Sequence, residues 1–87
     1  MRVLIVESNP DLGELWRRHL VRQGAEVGIA TSQEEAVAHL QGGDWQVIVL
    51  DLVLEEGSAF AVADFASYRH PDAKVIFVTN TRFFSDG

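Results

Sequence analysis

Three runs, "RVLIV" (2–6), "QVIVL" (46–50) and "KVIFVT" (74–79), constrain this chain more than anything else in it. Each is a short, apolar stretch rich in β-branched residues, without the strict polar alternation of a half-exposed strand. That pattern fits strands buried on both faces, as in a parallel sheet with helices on either side. A fourth run, "AEVGIA" (25–30), is more polar and contains a glycine, which suits a sheet edge.

The segments between these runs carry helix signals. Asn9 is placed to cap a helix that has Pro10 at its first position, and Gly24 suits its C-terminal end. Leu12, Leu15, Trp16 and Leu20 recur at helical spacing and are expected to face inward. "SQEEAVAHLQGG" (32–43) pairs Ser32 with Glu35 as a capping box and ends in two glycines, with Ala36, Val37 and Leu40 as its inward stripe. Residues 59–69 form a third helix with Ser58 as its cap, broken by "HPD" (70–72). Strands alternating with helices imply right-handed crossovers, hence an α/β fold with a parallel sheet covered on both faces.

In such sheets ligands bind beyond the carboxyl ends of the strands, where the winding direction reverses. Three polar groups fall there: Glu7 with Ser8 after the first strand, Asp51 after the third and Thr79 after the fourth. Asp51 is the most telling, because an ionised acid flanked by "VIVL" and "LVL" is costly to bury unless something compensates it. A carboxylate at the tip of a rigid strand is a competent nucleophile toward phosphorus, forming an acyl phosphate. That reaction needs a divalent cation, commonly Mg²⁺ on oxygen ligands, to offset the crowding of negative charge. A nearby hydroxyl then has a phosphoryl oxygen to bond.

On "VLIVESNPDLGELWRRHL", "VIVLDLVL" and "KVIFVT", the sequence resembles the receiver domains of bacterial two-component response regulators over all 87 residues. The resemblance implies a flavodoxin-like (CheY-like) three-layer αβα fold with strand order 2-1-3-4. It implies that Asp51 accepts a phosphoryl group from a sensor histidine kinase or phosphotransfer protein, and that Thr79 is the phosphoryl-sensing hydroxyl. Mg²⁺ would be held by Glu7, Asp51, the Val53 backbone carbonyl and, more weakly, Ser8. The domain would be a cytoplasmic signalling module and not a turnover enzyme.

The sequence departs from that pattern in ways that bear on function. Ser8 stands where a second acid is usual, so the cation site lacks a charge. Alternatively, Ser8 simply begins the helix-capping turn. Glu55 replaces a frequent proline, Ala59 a usual glycine, and Asn80 follows Thr79 where a small residue is normal. No residue matches the family's fifth-strand lysine, and the last helix-strand-helix of a full receiver has no counterpart. Residues 1–87 are thus expected to be the N-terminal two-thirds to three-quarters of one receiver domain, either a fragment or a shortened form completed by another chain. The apolar fourth strand would then be a sheet edge, and a second copy in a homodimer, or else another partner, is expected to cover it and nearby Phe83 and Phe84. The competing reading is a pseudo-receiver, a protein-interaction module that works without phosphorylation.

Composition narrows the remaining classes. A formal net charge of −6 with scattered Lys and Arg is unlike a nucleic-acid footprint, so direct contact by this segment is not expected. There is no cysteine for disulfides or thiolate chemistry, and no apolar run approaches a membrane span. No G-x-G-x-x-G follows the first strand, which disfavours a dinucleotide site. Val53 stands where a cobalamin domain would need histidine and an aspartyl phosphatase an acid. His19, His39 and His70 are well separated and expected to face solvent, Trp16 and Trp45 to pack in the core or its rim.

Overall fold

The computed structural model describes residues 1–79. The expectations for Asn80, Phe83 and Phe84 lie outside these residues. In chain order the elements are β1 (Arg2–Val6), α1 (Pro10–Arg22), β2 (Glu26–Ala30), α2 (Gln33–Gln41), β3 (Val47–Asp51), α3 (Ala59–Arg69) and β4 (Lys74–Val78). The four strands form one parallel sheet in the order β2-β1-β3-β4. The fold is therefore the expected flavodoxin-like α/β arrangement, and β1 and β3 lie side by side at its centre.

The helix ends follow from their caps. The Asn9 side chain accepts hydrogen bonds from the Asp11 and Leu12 N–H groups at 3.0 and 3.2 Å, satisfying two donors that α1 cannot pair itself. After α1 the chain turns through Gly24 at φ +96°, a left-handed conformation that glycine adopts without a Cβ penalty. Ser32 caps α2 by accepting from the Glu35 N–H at 3.1 Å. The reciprocal arm of the expected capping box is displaced by one residue. The Glu35 carboxylate accepts from the backbone N–H and hydroxyl of Thr31, at 2.7 and 2.9 Å.

Helices α2 and α3 share one face of the sheet. There Leu4 and Val6 of β1 and Ile48 and Leu50 of β3 close against Ala36 and Leu40 of α2 and Val62 and Ala66 of α3. Small residues on the helices let them approach the bulky strand residues, giving close packing. Trp45 completes this core as expected, its indole N–H donating to the His39 and Gly42 carbonyls.

Helix α1 packs on β1 and β2, with Gly13 as its buried residue. Leu12, Trp16 and Leu20 are half-buried, but Leu15 is 54% exposed, contrary to the expectation of a fully inward stripe. The physical reason lies in the sheet. Leu15, Trp16, His19 and Leu20 form one wall of an apolar groove whose other side is Val49 and Val78, so this face is only partly covered among the described residues. Ile76 and Phe77 of β4 are likewise 43% and 44% exposed.

The histidines also need correction. His19 is exposed as expected, but His39 is half-buried and meets the Trp45 ring edge-on with centroids 5.9 Å apart. His70 is half-buried as well, its Nε2 lying 2.8 Å from the Leu40 carbonyl at the end of α2. Helix ends carry unpaired carbonyls that favour such a donor, which explains why His70 turns inward.

Candidate functional site

Each candidate side chain owes its position to the register of the central strands. Leu50 of β3 is level with Val6 of β1, so Asp51 and Glu7 are the next residues of adjacent parallel strands. Both lie at the carboxyl end of the sheet, with Glu7 1% and Asp51 2% exposed, and they are the buried charged residues of the described chain. On the other side of β3, Asp51 is level with Val78, and Thr79 follows it. The Leu52 N–H donates to the Val78 carbonyl at 2.8 Å, carrying the pairing one residue beyond Asp51. Thr79 is exposed and engaged in an interaction of its own.

The two acids are held differently. One oxygen of Glu7, Oε2, accepts from the Asn9 N–H at 2.9 Å, while Oε1 is buried with no hydrogen-bond partner. Asp51 Oδ1 accepts from the Val53 N–H at 2.9 Å, which turns the chain sharply after β3. Burial raises the Glu7 carboxyl from its ordinary value to about 7, and Asp51 pushes the same way, as a hydrogen-bond partner for the protonated Glu7 carboxyl and through its own charge. The Asn9 and Ser8 amides oppose that rise, but burial outweighs them.

A buried carboxylate oxygen without a protein donor needs either a proton or a cation to satisfy it. In this respect the residues fit Mg²⁺. In another they are sparse, because no group of three or more Asp, Glu or His able to hold a metal occurs among the described residues. Backbone carbonyl and water oxygens would have to supply the remainder. Ser8 does not simply add to the set, for its Oγ already accepts from the Glu55 N–H at 2.9 Å.

The loop after Asp51 is tied on its far side to α2. The Gln33 N–H donates to the Glu56 carbonyl at 3.1 Å, and Gln33 Oε1 accepts from the Ser58 N–H at 2.8 Å. Neither Gln33 nor the Glu55 amide stands out in the sequence. Both are paired with residues far along the chain, and no local pattern encodes such pairs.

The sequence model described as "Response regulator receiver domain" matches residues 3–84. The chain belongs to the response regulator receiver family. As a receiver domain, it is a signalling domain of two-component systems. The transcriptional regulatory protein TcrA of Mycobacterium tuberculosis is 36% identical over 62 residues, which cover 71% of this chain and 24% of TcrA. The chain thus spans about a quarter of that curated relative. The response regulator TrrA of Thermotoga maritima, solved in complex with Mg²⁺ and BeF, superposes with a TM-score of 0.83 at 28% identity. That match covers 98% of this chain and 74% of TrrA. A response regulator from Burkholderia pseudomallei superposes with a TM-score of 0.88 at 23% identity, over 97% of this receiver and 49% of that protein, a likeness of fold.

Proposed function

We propose that this receiver domain accepts a phosphoryl group on Asp51 from a sensor histidine kinase or phosphotransfer protein, and changes its partner binding as a result. The observation that carries the reading is the buried Glu7–Asp51 pair on adjacent strand ends, with Glu7 Oε1 lacking any donor. TrrA, 28% identical to this chain, was solved in complex with Mg²⁺ and BeF, which supports a divalent cation as the partner of this receiver. Glu7, Asp51 and the Val53 carbonyl would hold Mg²⁺, whose charge offsets that of the incoming phosphoryl group.

The remaining chemistry rests on the chain's own residues. Asp51 Oδ1 accepts from the Val53 N–H, which leaves Oδ2 the freer oxygen for attack. A bond forms between Oδ2 and phosphorus while the bond from phosphorus to the donor's imidazole nitrogen breaks, and that nitrogen regains a proton. The rigid strand end holds the nucleophile for in-line approach, so little ordering remains to be done at the moment of transfer. Thr79, one residue past the partner of Asp51, offers its hydroxyl to a phosphoryl oxygen. Incubation of the protein with a small phosphodonor and Mg²⁺ should add one phosphoryl group to its intact mass. The Asp51→Asn variant should gain none, and a wild-type mass that stays unchanged overturns the reading.

Ser8 favours a second reading, a pseudo-receiver that binds partners without phosphorylation. Its hydroxyl is neutral and already hydrogen-bonded, leaving two side-chain carboxylates for a divalent cation. On either reading we place residues 1–87 in one domain, in the cytoplasm and without direct nucleic-acid contact. No helix among the described residues is long and apolar enough to cross a membrane. Pairing of two copies through β4 remains part of this proposal, supported by the exposed Ile76 and Phe77.

A further inference from the structure

The segment between Asp51 and α3 carries no regular structure, yet beyond the Leu52 bond to β4 it is fastened at four further places. Asp51 Oδ1 takes the Val53 N–H at its start. Ser8, from the neighbouring β1–α1 turn, takes the Glu55 N–H at 2.9 Å. Gln33, from the first turn of α2, gives its N–H to the Glu56 carbonyl and takes the Ser58 N–H on Oε1. Between the two Gln33 contacts lies Gly57 at φ +98°, where an added Cβ would collide with the Gln33 side chain. The loop is thus gripped from both sides, and the grip begins two residues after Val53, whose carbonyl belongs to the candidate cation site.

We propose that Ser8 and Gln33 are positioning residues that fix the loop after Asp51, Ser8 serving as a loop anchor and not as a cation ligand. The loop-anchor role stands on geometry alone. Its link to the cation rests on the reading of Glu7 and Asp51 as the Mg²⁺ site. The Gln33 N–H is one of the first-turn donors that α2 cannot satisfy internally, so its bond to Glu56 serves the helix and the loop together. Ser58 is the residue that caps α3, so Gln33 also orients the start of that helix. A neutral hydroxyl at position 8 is sufficient for this work, which gives the missing acid a positive role.

Amide hydrogen exchange and Mg²⁺ titration, both followed by NMR, separate the anchor from a ligand. Ser8→Ala should speed exchange of the Glu55 amide about three- to tenfold, the loss expected for one hydrogen bond. Gln33→Ala should do the same at Ser58, and Ser8→Thr, which keeps the hydroxyl, should leave Glu55 slow. Mg²⁺ affinity should fall much less in Ser8→Ala than in Glu7→Gln. If Ser8→Ala weakens Mg²⁺ as severely as Glu7→Gln while Glu55 exchange stays at the wild-type rate, the proposal is overturned. Should the wild-type protein take up no Mg²⁺, the phosphoacceptor reading fails and the exchange rates alone decide. Wild-type exchange at Glu55 in Ser8→Ala then refutes the anchor, and faster exchange there supports it.

Discussion

Glu7 and Asp51 end adjacent strands, and each is closed to solvent without a cation from a Lys, Arg or His side chain paired with it among the described residues. Two carboxylates in that relation repel, and burial compounds the cost of charging both. The pair is therefore unfavourable to the fold at the same time as it is suited to chemistry. Its consequences for stability can be measured directly.

The Glu7 carboxyl, raised from 4.5 to about 7, binds its proton more tightly in the folded state than in the unfolded one. Stability without a divalent cation should therefore be greatest below 4.5 as far as this group is concerned, fall as pH rises through about 7, and level off above. The loss attributable to Glu7 should be on the order of 1 to 3 kcal/mol. Urea unfolding across this range, with chelator present, checks it. Glu7→Gln should flatten the dependence, and a slope that persists in that variant would sink the assignment to Glu7.

Ser8→Asp should keep an acceptor for the Glu55 N–H while adding a carboxylate beside Glu7 and Asp51. In the cation-free protein this third acid should lower the melting temperature, by like-charge repulsion in a poorly solvated site. With Mg²⁺ present the order should reverse, and Mg²⁺ affinity should rise about tenfold or more, the gain of one further hard oxygen ligand. Calorimetric titration with Mg²⁺ measures the difference between the two proteins.

Gly57→Ala should destabilise the protein by about 1 to 3 kcal/mol, because it combines a left-handed backbone with a collision at Gln33. Gln33→Ala in the same chain keeps its own Cβ, so it should relieve little of that loss, whereas Gln33→Gly should relieve more. A double-mutant cycle in urea separates the collision from the backbone contribution.

Asn9→Ala should cost about 1 kcal/mol by orphaning the Asp11 and Leu12 amides at the start of α1. The Asn9 N–H to Glu7 is a backbone contact and survives the change. Phosphorylation at Asp51 should accordingly persist in this variant. Chemical unfolding and intact-mass phosphorylation test the two halves independently.

Lys at position 76 in place of Ile should suppress self-association if two copies meet through β4. Ile76 is 43% exposed on that strand, and a charge there would have to be desolvated in the pair. Light scattering across a range of concentrations distinguishes the outcomes. A wild-type protein that remains monomeric at every concentration refutes pairing.

The elements are legible in the sequence because their signals are local. Apolar runs marked β1, β3 and β4, and Asn9, Ser32 and Ser58 marked the helix starts within one turn. The convergence of Glu7, Asp51 and the end of β4 followed from topology, since parallel strands place their carboxyl ends together. What escaped depends on partners distant in the chain. Leu15 carries the right spacing but faces a partly covered sheet, and His70 finds its acceptor on another helix. The same is true of Ser8, whose partner is the Glu55 amide.

The placing of β1 between β2 and β3 has a consequence for how the protein comes into being. Its first strand can pair with β2 early, but its other edge waits until β3 has been synthesised. Glu7 therefore meets Asp51 only through a contact of large sequence separation, whose loop-closure entropy must be overcome before burial rewards it. On a growing chain, the first acid is made long before its neighbour and spends that interval in water, fully charged at neutral pH. Assembly of the acidic end is then a late event of folding, coupled to the completion of the sheet's centre.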